Sequence, residues 1–167
     1  MTKRLLIMRH AKSSWAEAGV RDFDRPLNER GLRDARRMGQ LACSKSQVPD
    51  LIFSSTAMRA ATTADLFIEN CAGATEAHHN RLDDLYHASP SIYLEVLVRI
   101  DDPEVTTAMI IGHNPGLESL VYQISKQFQA MPTAAIALME WEIDEWREIL
   151  DFPAAKLLNV WRPKEIL

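Results

Sequence analysis

Three short apolar runs constrain this chain more than any other feature. Lys3 to Met8, Asp50 to Ser54 and Thr106 to Ile111 are each too short for a buried helix and are bounded by polar residues, which predicts buried strands. After each run the chain turns polar and then takes up helical spacing. Leu32, Ala35, Met38 and Ala42 mark a helix from Asn28 to about Ser44, with Asn28 as N-cap and Glu29 at the positive end of the dipole. A second helix, capped by Thr56, is expected through Arg59 to about Glu69. Thr75 to Ser89 reads as less regular, and Pro90 opens a helix to about Ile100. Asn114 and Pro115 are expected as N-cap and first residue of a helix to about Phe128. Ala134 to Ile143 and Trp146 to Phe152 read as strands of a hairpin turning at Asp144-Glu145.

Strands alternating with helices predict an α/β fold, a three-layer α/β/α sandwich whose mainly parallel central sheet has an antiparallel C-terminal edge. With no repeat or linker in the sequence, one domain over residues 1–167 is expected. The net charge of −4 argues against nucleic acid as a partner, because backbone binding needs a broad basic face. No apolar run is long enough to span a bilayer, and the first residues lack a signal-peptide pattern, so no membrane association and a cytoplasmic location are expected. Cys43 and Cys71 form no CxxC pair and read as small apolar residues. Trp141, Trp146 and Trp161 read as core or edge cover, and His78 and His79 as solvent-exposed.

In open α/β sheets, ligands sit at the carboxyl ends of the strands. Three motifs fall at those ends: Arg9-His10, the Ser54 to Arg59 turn, and Gly112-His113-Asn114. Each alone is weak. Together they bring two arginines, two histidines and two helix N-termini to one edge, which describes a phosphoryl pocket. Arg9 and Arg59 offer planar donor pairs for non-bridging oxygens. A neutral His10 can attack phosphorus with one ring nitrogen while a hydrogen bond holds the other, and a protonated His113 adds a donor. This scheme requires no metal and no cofactor. Two other classes stay open from the residues: a metal-dependent hydrolase using His10, His87 and His113 with Asp83 or Asp84, and a phosphate-binding module without turnover.

These residues resemble the histidine phosphatase superfamily, also called phosphoglycerate mutase-like. The resemblance rests on Arg9-His10, on Arg59 in a Ser-x-x-x-Arg-Ala turn, on Gly112-His113 and on the run Arg25 to Gly31 with Asp34-Ala35 following. The start Arg9 to Ser13, the run Asp24 to Leu27 and Gly112 to Gly116 most resemble its SixA-like phosphohistidine phosphatase branch. The resemblance implies that His10 is transiently phosphorylated and that Arg9, Arg59 and His113 line the phosphate pocket. It implies that Arg25 reaches the phosphate or the substrate, the alternative being a surface arginine paired with Asp22 or Asp24. Lys12 is a candidate substrate contact, and Trp15 is expected as a packing anchor of the same loop. The resemblance also suggests an acid after an extended segment, where Leu82-Asp83-Asp84-Leu85 stands. Asp84 is the first candidate, with Asp83 and His87 behind it. His113 follows Arg59 by only 54 positions (113 − 59), which leaves little room for a cap. An open pocket suits a phosphohistidine on a signalling or phosphotransfer protein. The alternative is a small phosphomonoester.

Overall fold

The computed structural model describes residues 1–151 and 153–166. Its strands are β1 (Thr2–Arg9), β2 (Leu51–Ser55), β3 (His78–Leu82), β4 (Thr107–Gly112), β5 (Ile136–Glu142) and β6 (Lys156–Trp161). Its helices are α1 (Glu29–Ser44), α2 (Met58–Glu69), α3 (Pro90–Val98) and α4 (Gly116–Ser125). The sheet order is β3-β2-β4-β1-β5-β6. The first four strands in that order run parallel, and β5 and β6 are antiparallel to their neighbours. This is the expected α/β sandwich with its antiparallel C-terminal edge.

β1 shows why a continuous apolar run makes a central strand. Successive side chains point to opposite faces. Leu5 and Ile7 enter the cluster that holds Tyr93, Leu97, Leu117 and Val121 of α3 and α4. Leu6 and Met8 enter the cluster that holds Ala35, Met38, Ala64 and Phe67 of α1 and α2. Both faces are covered, so both sets must be apolar.

Several boundaries differ from the sequence reading. The stretch after Thr75 contains the edge strand β3, whose residues are half-buried or exposed and so lack an apolar signature. His79 is half-buried there, its Nε2 2.8 Å from Ser54 Oγ. Thr56 does not cap α2; its hydroxyl donates to Asp83 Oδ1 at 2.6 Å, and Ser55 Oγ accepts the Ala57 N–H instead. Nor does Asn114 cap α4. Its amide donates to Glu118 Oε1 at 2.7 Å and to the Met131 carbonyl at 2.9 Å. The hairpin expectation also fails. Trp146–Leu150 is a 3-10 turn with Trp146 buried against the core, and β5 pairs with β6. Burial of Trp146 and its Nε1–H bond to the Val105 carbonyl at 2.8 Å outweigh the strand preference of that segment. Phe152, the last residue of that predicted strand, lies outside the described residues.

The start of α1 is built as expected: Asn28 Oδ1 accepts the Gly31 N–H at 2.9 Å. The Asn28 N–H in turn donates to the Lys12 carbonyl at 3.0 Å. A β-carbon at Gly31 would fall on that same carbonyl oxygen, so the Lys12 loop lies against α1 only because residue 31 has no side chain. Gly31→Ala should therefore destabilise the fold by about 1–3 kcal/mol, as overpacking against backbone does. Urea denaturation checks this, and an unchanged midpoint would refute the close approach.

Candidate active site

Strand register assembles the site. In the parallel β1–β4 pair Arg9 stands opposite Gly112, and the His10 N–H donates to the Gly112 carbonyl at 3.0 Å. His10 and His113 are the residues directly after the two strands. Their ring centroids lie 5.1 Å apart. On the other side of β4, Ser54 stands opposite Ile111, so the β2–α2 turn delivers Arg59 to the same edge. Thr63 of α2 fastens the loop after β1: its hydroxyl accepts the Ala11 N–H at 3.0 Å and donates to the Arg59 carbonyl at 2.6 Å. The resulting cavity, about 260 Å³, is lined by Arg9, His10, Lys12, Arg25, Arg59 and His113, with Ser13, Trp15, His87, Asn114 and Thr133 around them.

His10 Nδ1 lies 2.7 Å from the Ala11 carbonyl oxygen. A carbonyl only accepts, so Nδ1 carries the proton and Nε2 keeps its lone pair. Burial pushes the His10 pKa down to about 3, reinforced by the charges of Arg59, Arg9 and Arg25. His113 is likewise pushed down to about 3, by burial first and then by His10, Arg59 and His87. Its Nε2 lies 2.9 Å from Ser55 Oγ. Both rings are therefore neutral near pH 7, and His10 presents a free nucleophilic nitrogen without needing a base to activate it.

Arg59 is buried. It donates through Nη1 to the Asp22 carbonyl at 2.6 Å and through Nη2 to Asp22 Oδ2 at 3.0 Å. Arg25, also buried, donates through Nε and Nη2 to Asp22 Oδ1 at 3.2 and 3.0 Å, and through Nη1 to Ser13 Oγ at 2.5 Å. Arg25 lines the pocket and is paired with Asp22, as one reading of the sequence had it, but it is buried and not a surface arginine. Asp24 instead pairs with Arg21 at 2.7 Å. Tyr86 completes the ring of donors, its hydroxyl 2.5 Å from Asp22 Oδ2. These hydrogen bonds, Tyr86 first and then Arg25 and Arg59, hold the Asp22 carboxyl far below the usual carboxylate range. Asp22 is consequently a fixed anion that sets the two guanidinium planes, and it has no proton to give near neutral pH.

Polar atoms buried without a protein partner concentrate here. Of five such side-chain atoms among the described residues, four belong to the pocket: Arg9 Nε, Arg59 Nε, His113 Nδ1 and Asn114 Oδ1. Unpaired buried groups cost stability, and their clustering marks a place kept for binding rather than for folding.

The acid candidates separate. Asp84 is exposed and does not line the pocket, and Asp83 is exposed with Oδ1 taken up by Thr56. The 3-10 turn Asp83–Leu85 buries Leu85 and leaves Asp83 and Asp84 exposed. His87 does line the pocket, its ring 5.7 Å from His113 and its Nε2 3.7 Å from Asp22 Oδ2. Trp15 is not a packing anchor. It is 72% exposed, and the Arg25 guanidinium stacks 3.5 Å above its ring. Sequence reasoning gave Asp22 no role beyond a surface pair and passed over Ser55 and Tyr86. Ser55 was within the quoted Ser54 to Arg59 turn, whereas nothing in the sequence places Tyr86 beside Asp22, 64 positions away.

The two depressed histidines give a pH test. A histidine held neutral by the fold loses stability for the native state as pH falls below its unfolded value, about 6.5. Their contribution is thus complete above about pH 6.5 and declines toward pH 3. Nitrogen-15 NMR of the imidazoles should find His10 neutral, with Nδ1 protonated, at pH 5. A His10 titration midpoint near 6.5 would refute the assignment.

The sequence model of the histidine phosphatase superfamily (branch 1) matches residues 5–87. A chloroplastic protein of Arabidopsis thaliana, itself uncharacterised, is 30% identical over 154 residues, 89% of this chain and 71% of that protein. An uncharacterised protein of Mycobacterium tuberculosis is 32% identical over 146 residues, 79% of this chain and 85% of that one. Among solved structures, an Agrobacterium tumefaciens protein assigned as the phosphohistidine phosphatase SixA superposes with a TM-score of 0.81 at 29% identity, covering 96% of this chain and 98% of the other. With the pocket and the fold in agreement, the chain belongs to the histidine phosphatase superfamily, in its SixA-like branch, and its chemistry is that of a phosphatase.

Proposed function

We propose that this protein is a metal-independent phosphohistidine phosphatase that carries the phosphoryl group transiently on His10 and acts on a histidine-phosphorylated protein. The observation that carries the reading is the state of His10: neutral, with Nδ1–H fixed on the Ala11 carbonyl and Nε2 free in a pocket lined by three arginines. In the first step Nε2 attacks phosphorus in line as the bond to the leaving group breaks. Arg9, Arg59 and Arg25 neutralise the non-bridging oxygens, and Lys12 lies at the pocket wall. A bound dianion favours protonation of His113, which then becomes a further donor. In the second step water displaces the phosphoryl group from Nε2, releasing inorganic phosphate and restoring neutral His10.

Substrate class follows from the acid. Asp83 and Asp84 lie off the pocket, and Asp22 is held as an anion, which leaves His87, a lining residue, as the candidate acid. An alkoxide leaving group needs a strong, well-placed acid, whereas an imidazole leaves with little help. The interval between Arg59 and His113 is filled by the rest of α2, then β3, α3 and β4. A single uncapped domain of this kind leaves the pocket open to a phosphoryl group borne by a protein. Positive charge comes from side chains, and among the described residues no group of three or more His, Cys, Asp or Glu is placed to hold a metal ion.

Turnover of a phosphohistidine peptide should survive chelator treatment and fall to background in His10→Ala. Arg59→Ala should retain the fold and lose about 10²–10³-fold in kcat/KM, the scale of one preorganised charge donor. A phosphoserine peptide should be turned over far more slowly. Full activity in His10→Ala would refute the mechanism. Preference for a small aryl phosphate over the histidine peptide would keep the mechanism and move the substrate to small phosphomonoesters.

A further inference from the structure

A second cavity, about 500 Å³, opens beside the catalytic pocket. Arg30, Arg33 and Arg37 line it from α1, and Arg162 and Lys164 from the turn after β6. The three α1 arginines fall at spacings of three and four, which places them on one face of the helix. Two carboxylates stand among these five cations. Asp34 Oδ1 meets Arg33 at 3.2 Å and Arg37 at 3.4 Å, and Glu165 meets Arg162 at 3.6 Å. Arg30 and Lys164 are exposed and have no carboxylate within salt-bridge distance among the described residues. A chain of net charge −4 has thus gathered an excess of positive charge in one concave place.

Helix formation does not explain that charge. Arg30 lies in the first turn of α1, where the helix dipole disfavours a cation. The walls are also held in place. Arg37 Nη2 donates to the Ile166 carbonyl at 2.8 Å, and Arg162 donates to the Ala130 carbonyl at 3.0 Å and to Gln129 Oε1 at 2.9 Å. The groove adjoins the catalytic pocket at Thr133, which lines both cavities.

We infer that this groove docks an acidic segment of the phosphoprotein substrate, flanking the phosphorylated residue that enters the catalytic pocket. The inference rests on the reading of the substrate as protein-borne. Charge complementarity names the occupant: Asp- or Glu-rich chain is the protein partner that neutralises Arg30 and Lys164. The contact is electrostatic and partly exposed, so it acts on capture of the substrate and weakens with salt. It leaves the chemical step at His10 unchanged.

The test uses phosphohistidine peptides with Glu-rich or Gln-rich flanks, the same flanks on phosphotyrosine, and the Arg30→Gln/Lys164→Gln double variant. Acidic flanks should raise kcat/KM by roughly three- to tenfold at low salt, through KM, with the gain fading toward 0.5 M salt. The double variant should lose most of that gain and keep the wild-type rate on a small aryl phosphate. Fluorescence anisotropy of a labelled, unphosphorylated Glu-rich flank on the His10→Ala protein reads the groove independently of turnover. Weaker binding to the His10→Ala protein carrying the double substitution supports the inference. Equal kcat/KM for both flanks in the wild type would overturn it, as would a flank gain or flank binding untouched by the substitutions. Tighter binding of single-stranded DNA than of the acidic peptide would also overturn it, by giving the groove to another polyanion. Flank preference on phosphotyrosine with no turnover of phosphohistidine would sink the substrate reading and leave the groove standing.

Discussion

The parallel pairing of β1 with β4 is the contact on which the site depends. Its register sets Arg9 against Gly112, so the two histidines that follow emerge side by side at the carboxyl end of the sheet. The pairing needs a bare backbone at residue 112. A β-carbon there would meet the Tyr93 hydroxyl, which accepts the His113 N–H at 3.3 Å. A slip of one residue would move every side chain of the strand to the opposite face and separate the two histidines. With β5 on its other side, β1 is flanked by strands on both edges, which anchors His10, the residue directly after it, to a rigid element.

The electrostatics of the pocket oppose folding and favour function. Burial disfavours the protonated form of both histidines, and for His10 the charges of Arg59, Arg9 and Arg25 add to it, so His10 stays a free base at neutral pH. Asp22 offsets part of the repulsion between Arg25 and Arg59 and orients both. The unpaired atoms of Arg9, Arg59 and His113 show that the compensation is incomplete. On the proposed function, an incoming phosphoryl dianion would meet donors already fixed in position, with little left to reorganise.

Much of this is legible in the amino-acid sequence. Apolar runs buried on both sheet faces are visible as runs, so β1, β2 and β4 stood out. Arg9, His10, Arg59 and His113 could be grouped because each follows a strand that the parallel fold brings to one edge. The edge strand β3 was not legible, because an exposed strand needs no apolar pattern. Trp146 to Leu150 read as a strand because its residues suit one; a buried indole bonded to Val105 holds it as a 3-10 turn. Asp84 and His87 were a choice that sequence spacing could not make. The structure leaves Asp84 exposed and off the pocket lining, and has His87 among the lining residues.

The amino-acid sequence by itself determined the α/β class, the strand-end motifs and the residue types for phosphoryl chemistry, because periodicity and turn chemistry are local properties of the chain. Tertiary structure alone decided which ring nitrogen of His10 is free, which anion organises Arg25 and Arg59, and where the excess positive charge of α1 meets that of the C-terminal turn. Those depend on contacts between residues distant in sequence, and on burial, which moves the charge state of a histidine more than any neighbour along the chain does.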